Sequence, residues 1–254
     1  MQSKVIWITG GSSGIGFATA KKFLKNQWTV VVSSSNNKKL QAAKERLVNE
    51  DIHQNLYILK CDITDKKEVK KTIFFIEKEF GKINIALLNA AAYSPNKKQK
   101  FDINNYELLI DVNLKGTLYC IDVLKNVMKN RGNSIAIVSS PIGYRGWPTS
   151  GAYGMTKAAQ LNLSESLFFD FKKIKIQIKV INPGFIDTEA TRLNSFKMPF
   201  LKSADFAADK IYNGLVFRKK FEIYFPFLVV FFVKILRILP YRLYFYIWKK
   251  IGNF

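Results

Sequence analysis

The stretch Lys4-Val-Ile-Trp-Ile-Thr-Gly-Gly-Ser-Ser-Gly-Ile-Gly16 decides the fold. Lys4 to Ile8 is a short apolar run with strand character, Thr9 to Gly16 is rich in glycine, and Phe17 to Asn26 has a helical pattern. A strand, a glycine turn and a helix in that order open a dinucleotide-binding βαβ unit. Gly10 permits the tight turn, Gly14 lets backbone approach a pyrophosphate, and Gly16 allows the helix to lie against the strand. Unpaired amides at the helix start, around Ser12, Ser13 and Ile15, favour phosphate charge. The spacing is G-x-x-x-G-x-G, and by itself it also suits an ordinary tight turn.

Downstream, apolar runs at 29–33, 55–60, 84–88, 134–139 and 176–181 alternate with helical patterns near 37–50, 65–80, 105–130 and 152–173. That alternation predicts an α/β fold, a parallel sheet covered by helices on both faces. The 254 residues suit one large domain over 1–224 and a helical tail over 225–254. Polar loops are expected over the carboxyl edge of the sheet at 94–100 and 185–203. The second is the expected substrate lid, apolar through Phe196, Met198, Pro199, Phe200 and Leu201, with core packing as the competing reading.

Ser150-Gly-Ala-Tyr-Gly-Met-Thr-Lys157 places a tyrosine and a lysine four apart, on one helical face. An ammonium there can lower the phenol pKa and make Tyr153 a general acid/base for carbonyl and alcohol chemistry. Among 11 tyrosines and many lysines the pair is weak evidence by itself.

Together these stretches resemble the short-chain dehydrogenase/reductase family from residue 4 to about residue 224, which implies a doubly wound α/β fold with a mostly parallel, seven-stranded Rossmann sheet. Thr9 to Gly16 looks like its cofactor signature, and Cys61-Asp62-Ile63 like the strand end whose Asp meets adenine. Leu88-Asn89-Ala90-Ala91 looks like the family's N-N-A-G, with Leu88 and Ala91 departing from it. Val112-Asn113 looks like its helix Asn, and Val138-Ser139-Ser140 with Tyr153 and Lys157 like the catalytic set. Asn182-Pro-Gly-Phe-Ile-Asp-Thr188 looks like the segment that holds the nicotinamide amide, through Pro183, Gly184, Ile186 and Thr188. The resemblance implies that Ser140 holds the substrate oxygen and Tyr153 moves the proton. Lys157 would lower the Tyr153 pKa and bind the ribose, while Asn113 would order a water leading to solvent. Ser139 rivals Ser140, which is preferred because its thirteen-residue distance to Tyr153 matches the family. The second strand ends in Ser33-Ser34-Ser35 with no acid and then Lys38 and Lys39, so NADP(H) is favoured over NAD(H).

Two cysteines, Cys61 and Cys120, give no disulfide framework, and His53 alone gives no zinc set. Entry into a strand at residue 4, without a cleavable apolar segment, suggests an unsecreted, cytoplasmic protein. The net charge of +21 fits a solvated lysine-rich surface, or attraction to anionic phospholipid or acidic substrates. No nucleic-acid module accompanies it. Residues 218–254 carry eight basic residues against Glu222, around aromatics and a break at Pro240. The uncharged run from Ile223 to Val233 is too short to span a bilayer. Helices of this composition lie in an anionic membrane interface, while a cap on the sheet or a homo-oligomer contact are the alternatives. An apolar lid and such a tail suggest a lipophilic substrate. A membrane-bound NADP scaffold without strong catalysis is the alternative to an enzyme.

Overall fold

The computed structural model of the chain describes residues 4–94, 101–194 and 198–252. Residues 95–100 of the expected polar loop, and Phe196 of the expected lid, lie outside the described residues. One sheet holds β1 (Val5–Thr9), β2 (Thr29–Ser34), β3 (Leu56–Lys60), β4 (Ile83–Leu88), β5 (Ser134–Val138), β6 (Gln177–Pro183) and β7 (Glu222–Phe225). The order is β3-β2-β1-β4-β5-β6-β7, and every neighbouring pair is parallel. Periodicity placed six of these strands. β7 has four residues and merges with the apolar run after it, so no pattern separates them. The boundary expected after Tyr224 falls inside β7.

Alternation along β1 explains the layers. Ile6 and Ile8 join one core with Phe17 and Phe23 of α1 (Gly14–Lys25), Leu40 of α2 (Asn37–Asn49) and Ile211 of a later helix over Ala204–Val216. Val5 and Trp7 join the opposite core with Ile73 of α3 (Lys66–Glu79), and with Leu124 and Phe171 from later helices. Each such buried side chain contributes about 1.5–3 kcal/mol of transfer free energy. Side-chain caps start the helices: Asn36 accepts from the Lys39 amide at 3.0 Å, and Asp65 accepts from the amides of Lys67 and Glu68.

The helix expected near 105–130 is interrupted. α4 (Ile103–Leu109) runs through a π-helical turn at Ile110–Lys115 into α5 (Gly116–Met128), and Asn113 sits on that turn. Such turns insert a residue and re-aim the side chains beside it. α6 (Gly151–Lys173) and α7 (Ala204–Val216) complete the layers. After β7 come α8 (Phe227–Ile238) and α9 (Tyr241–Gly252). Leu239 is extended before Pro240, as proline requires of its predecessor, so two helices form instead of one. No described helix is long and apolar enough to cross a membrane.

Candidate active site

The chain leaves β1 for β2 on one side and returns to β4 on the other, and this switch point opens a crevice at the carboxyl ends of the strands. A cleft of about 1290 Å³ lies there. It is lined by Gly10, Ser12, Ser13, Gly14 and Ile15 from the glycine turn, and by Ser34 and Ser35 from the end of β2. Asp62 and Ile63 follow β3, and Asn89 and Ala90 follow β4. Ser140, Tyr153 and Lys157 come from the β5–α6 region, and Pro183, Gly184, Ile186 and Thr188 from the end of β6. Gly16 and Asn113 stand behind this lining instead of in it.

The glycine turn is built for close approach. Gly10 has φ +63°, and a Cβ there would lie 2.6 Å from the Ala90 Cα; at Gly16 it would lie 2.6 Å from the Asn89 Nδ2. Asn89 Nδ2 donates to the carbonyls of Thr9 and Gly10 at 3.1 and 3.0 Å, and Thr9 Oγ1 accepts from the Asn89 and Ala90 amides. Leu88 and Ala91 depart from the family pattern without loosening this: Leu88 is core, Ala91 is exposed at the cleft, and Asn89 makes the bonds. The cradle and the open amides at the start of α1 fit a dinucleotide pyrophosphate.

At the other end, the Ser140 hydroxyl faces the Tyr153 phenol. Ser139, its rival, is buried and donates to the Lys157 carbonyl at 2.9 Å, so it serves the backbone of α6. The Tyr93 ring meets Tyr153 edge-on at 4.9 Å. Asn113 clamps the adjoining Ala92, accepting from its amide at 2.7 Å and donating to its carbonyl at 3.1 Å. It donates a second bond to Thr156 Oγ1 at 3.1 Å.

Two expected roles, those of Asn113 and Lys157, bear on these side chains. Asn113 was expected to order a water leading from Lys157; its carbonyl accepts from Thr117 Oγ1 at 2.7 Å and Gln160 Nε2 at 2.8 Å. The connection to Lys157 is the Gln160 amide, whose Oε1 accepts from Lys157 Nζ at 3.0 Å. The second concerns the Tyr153 pKa. Burial holds the phenol well above its usual value, the neighbouring Tyr93 adds to this, and the Ser140 bond opposes it. Lys157 Nζ lies 5.4 Å from the centre of the Tyr153 ring and donates to the Val138 carbonyl at 2.8 Å, and burial pushes its own pKa down to about 7.

Sequence reading missed Gln160, although its i+3 spacing puts it on the Lys157 face of α6. It also missed the far wall, which Trp147, Val229, Val233, Trp248 and Ile251 form. All of that wall except Trp147 belongs to the tail, which Arg145 turns onto the body. The Arg145 guanidinium donates to the carbonyls of Leu236, Arg237 and Leu239 at 2.6–2.9 Å, closing the end of α8, and packs on the Tyr244 ring at 4.1 Å. Tyr244 donates to the Gly146 carbonyl, and Lys234 pairs with Glu222. No short-range pattern announces contacts across some 90 residues. Of the expected lid, Pro199 lines the cleft, whereas Phe200 and Leu201 are exposed and do not. At the adenosine end Lys39 lines the cleft and pairs with Glu189 at 3.0 Å, and Lys38 does not reach it.

This chain belongs to the short chain dehydrogenase family, whose description matches residues 4–197. It is similar to an uncharacterized oxidoreductase of Staphylococcus aureus strain MW2, 28% identical over 192 residues, 75% of this chain and 81% of that protein. An uncharacterized oxidoreductase of Staphylococcus epidermidis is 28% identical over 197 residues, 77% of this chain and 84% of that protein. Among solved structures, ElxO with NADP bound matches with a TM-score of 0.78 at 26% identity, over 89% of this chain and 99% of that one. A short chain dehydrogenase/reductase from Burkholderia phymatum in complex with NAD shares the fold, with a TM-score of 0.81 at 19% identity over 92% of each chain. The chain is therefore an oxidoreductase of this family, acting between CH–OH and C=O.

Proposed function

We propose that the protein is an NADP(H)-dependent oxidoreductase of a lipophilic carbonyl or alcohol, working peripherally on an anionic membrane surface. The observation that carries the catalytic part is the meeting of Ser140, Tyr153 and Lys157 at one end of a cleft whose other end is the glycine cradle. A bound nicotinamide dinucleotide supplies or accepts the hydride. Gly10, Ser12, Ser13, Gly14 and Ile15 hold its pyrophosphate, and Asp62, Ile63, Asn89 and Ala90 border the adenosine and ribose. Pro183, Gly184, Ile186 and Thr188 hold the nicotinamide end.

Ser140 donates a hydrogen bond to the substrate oxygen and keeps it beside the Tyr153 hydroxyl. Tyr153 lines the cleft with its phenol facing Ser140, so its hydroxyl can pass a proton to, or take one from, the oxygen that Ser140 holds. Lys157 and Asn113 position Tyr153 and its surroundings, Lys157 from α6 and Asn113 through Ala92.

Preference for NADP(H) is supported by hydroxyls at Ser34 and Ser35 and by Lys39 at the cleft. It is supported also by the NADP in ElxO, against which stands the NAD in the Burkholderia protein. Lipophilicity is supported by the wall of Val229, Val233, Trp147, Trp248 and Ile251. A lipid extract incubated with the protein and NADPH or NADH, read by mass spectrometry, tests the reading. An NADPH-dependent mass shift of two hydrogens in an apolar compound supports it; turnover confined to polar metabolites or to NADH contradicts it.

A further inference from the structure

Helix α8 has two apolar faces that look in opposite directions. Val229 and Val233 line the cleft. Phe227, Leu228, Phe231, Phe232, Ile235 and Ile238 stand outward, each 38–79% exposed. A helix turning about 100° per residue gathers these six into one stripe, in which the Phe227 and Phe231 rings stack at 5.7 Å. A stripe of this size left to water marks an interaction site. Helix α9 continues the surface with another composition. Tyr241, Phe245 and Tyr246 are exposed beside Arg242, Lys249 and Lys250. Trp248 borders the cleft from its inner side, and the exposed Ile251 borders the cleft mouth.

Charge decides the occupant. Residues 218–254 hold eight basic residues, and Glu222, their one acid, is paired with Lys234. Two copies meeting through this surface would set like charges together. Anionic headgroups above an acyl layer match both the basic residues and the apolar stripe. Aromatic and basic side chains on α9 suit the headgroup level, and the α8 stripe suits the chains beneath it.

We infer that α8 and α9 seat the protein on an anionic phospholipid surface, and that the same helices form the wall through which an apolar substrate passes from lipid to Tyr153. The seating rests on the proposed membrane-surface reading, and the passage rests also on the proposed lipophilic substrate. Gly184 links the two ends, since its amide donates to the Phe225 carbonyl at 2.7 Å and a Cβ there would lie 3.4 Å from Val229. The root of α8 thus touches the segment proposed to hold the nicotinamide.

The test uses the full chain with a nitroxide at Phe232→Cys or, as a control, at Lys44→Cys on α2; the native Cys61 and Cys120 are buried. Vesicles are phosphatidylcholine alone or with phosphatidylglycerol. Co-sedimentation should rise at least about tenfold with the anionic lipid. Oxygen should reach the Phe232 label while aqueous nickel does not, with the reverse at Lys44. Lipids brominated in the upper acyl chain should quench cleft tryptophan emission, and Trp248→Phe should reduce that quenching, because Trp7 and Trp28 are core. Phe231→Asp with Ile235→Asp should abolish sedimentation while NADPH affinity is unchanged. Absence of sedimentation, an aqueous Phe232 label on bound protein, or burial of that label in a concentration-dependent dimer overturns the seating. Seating without tryptophan quenching overturns the passage. NADPH affinity in the same samples reports separately on the oxidoreductase reading, so the two can fail independently.

Discussion

The Lys157 ammonium donates to the Gln160 side-chain oxygen at 3.0 Å, and the Gln160 nitrogen donates onward to the Asn113 carbonyl at 2.8 Å. A side-chain amide thus joins Lys157 to Asn113. An amide accepts and donates, but it does not pass a proton along as water does. Gln160→Glu places a carboxylate against Lys157 and removes the donor to Asn113. Lys157 should then hold its charge to higher pH, and the inflection in NADPH affinity should move up by about one pH unit or more. An unmoved inflection, measured by fluorescence titration across pH, would show that Gln160 does not govern Lys157.

Burial of Lys157 also has a stability consequence. Its folded pKa is about 7 against an ordinary 10.5, so between those values the unfolded chain binds a proton that the native state does not. Stability from this group therefore rises with pH through that window, by about 1.4 kcal/mol for each pH unit crossed. Lys157→Met lacks the rise. Its stability relative to the parent should be greatest near pH 6.5 and should decline toward pH 10, in urea unfolding at both. The hydrogen bonds lost at Val138 and Gln160 shift the curves by a constant, so the slope is the test, and a pH-independent difference would contradict it.

What the sequence disclosed, and what it did not, follows the range of the interactions. Glycine spacing, strand runs and the four-residue step from Tyr153 to Lys157 are local, and they suffice for the sheet and for most of the cleft lining. The direction of the Lys157 ammonium is set by desolvation and by partners 3 and 19 residues away. Arg145 finds the end of α8 only after the chain has folded back across the sheet. β7 was hidden because four residues are too few to display alternation.

Arg145 closes three carbonyls at the end of α8. Arg145→Ala should cost roughly 1.5–3 kcal/mol, the usual range for bonds to a charged donor. Trypsin should then cut at Arg237 and Arg242 faster than in the parent. Unchanged cleavage and unchanged unfolding would mean that other contacts hold the tail.

Lys39 faces the cleft beside Ser34 and Ser35 and pairs with Glu189. A 2′-phosphate would compete with Glu189 for it. Lys39→Glu should weaken NADPH at least about tenfold, equivalent to about 1.4 kcal/mol, and leave NADH nearly unchanged. Calorimetry with both dinucleotides decides this; an equal loss for the two would show that Lys39 does not set cofactor choice.

Proton transfer by Tyr153 is tested most directly by Tyr153→Phe, which removes one hydroxyl from the end of the cleft where Ser140 faces it. Reduction of the apolar substrate found in the lipid-extract assay is followed by NADPH oxidation, with NADPH affinity measured on the same samples. Affinity should stay within about threefold, and turnover should fall by roughly 10²–10⁴, the range for loss of a positioned proton donor. Turnover equal to that of the parent would contradict Tyr153 as the proton donor.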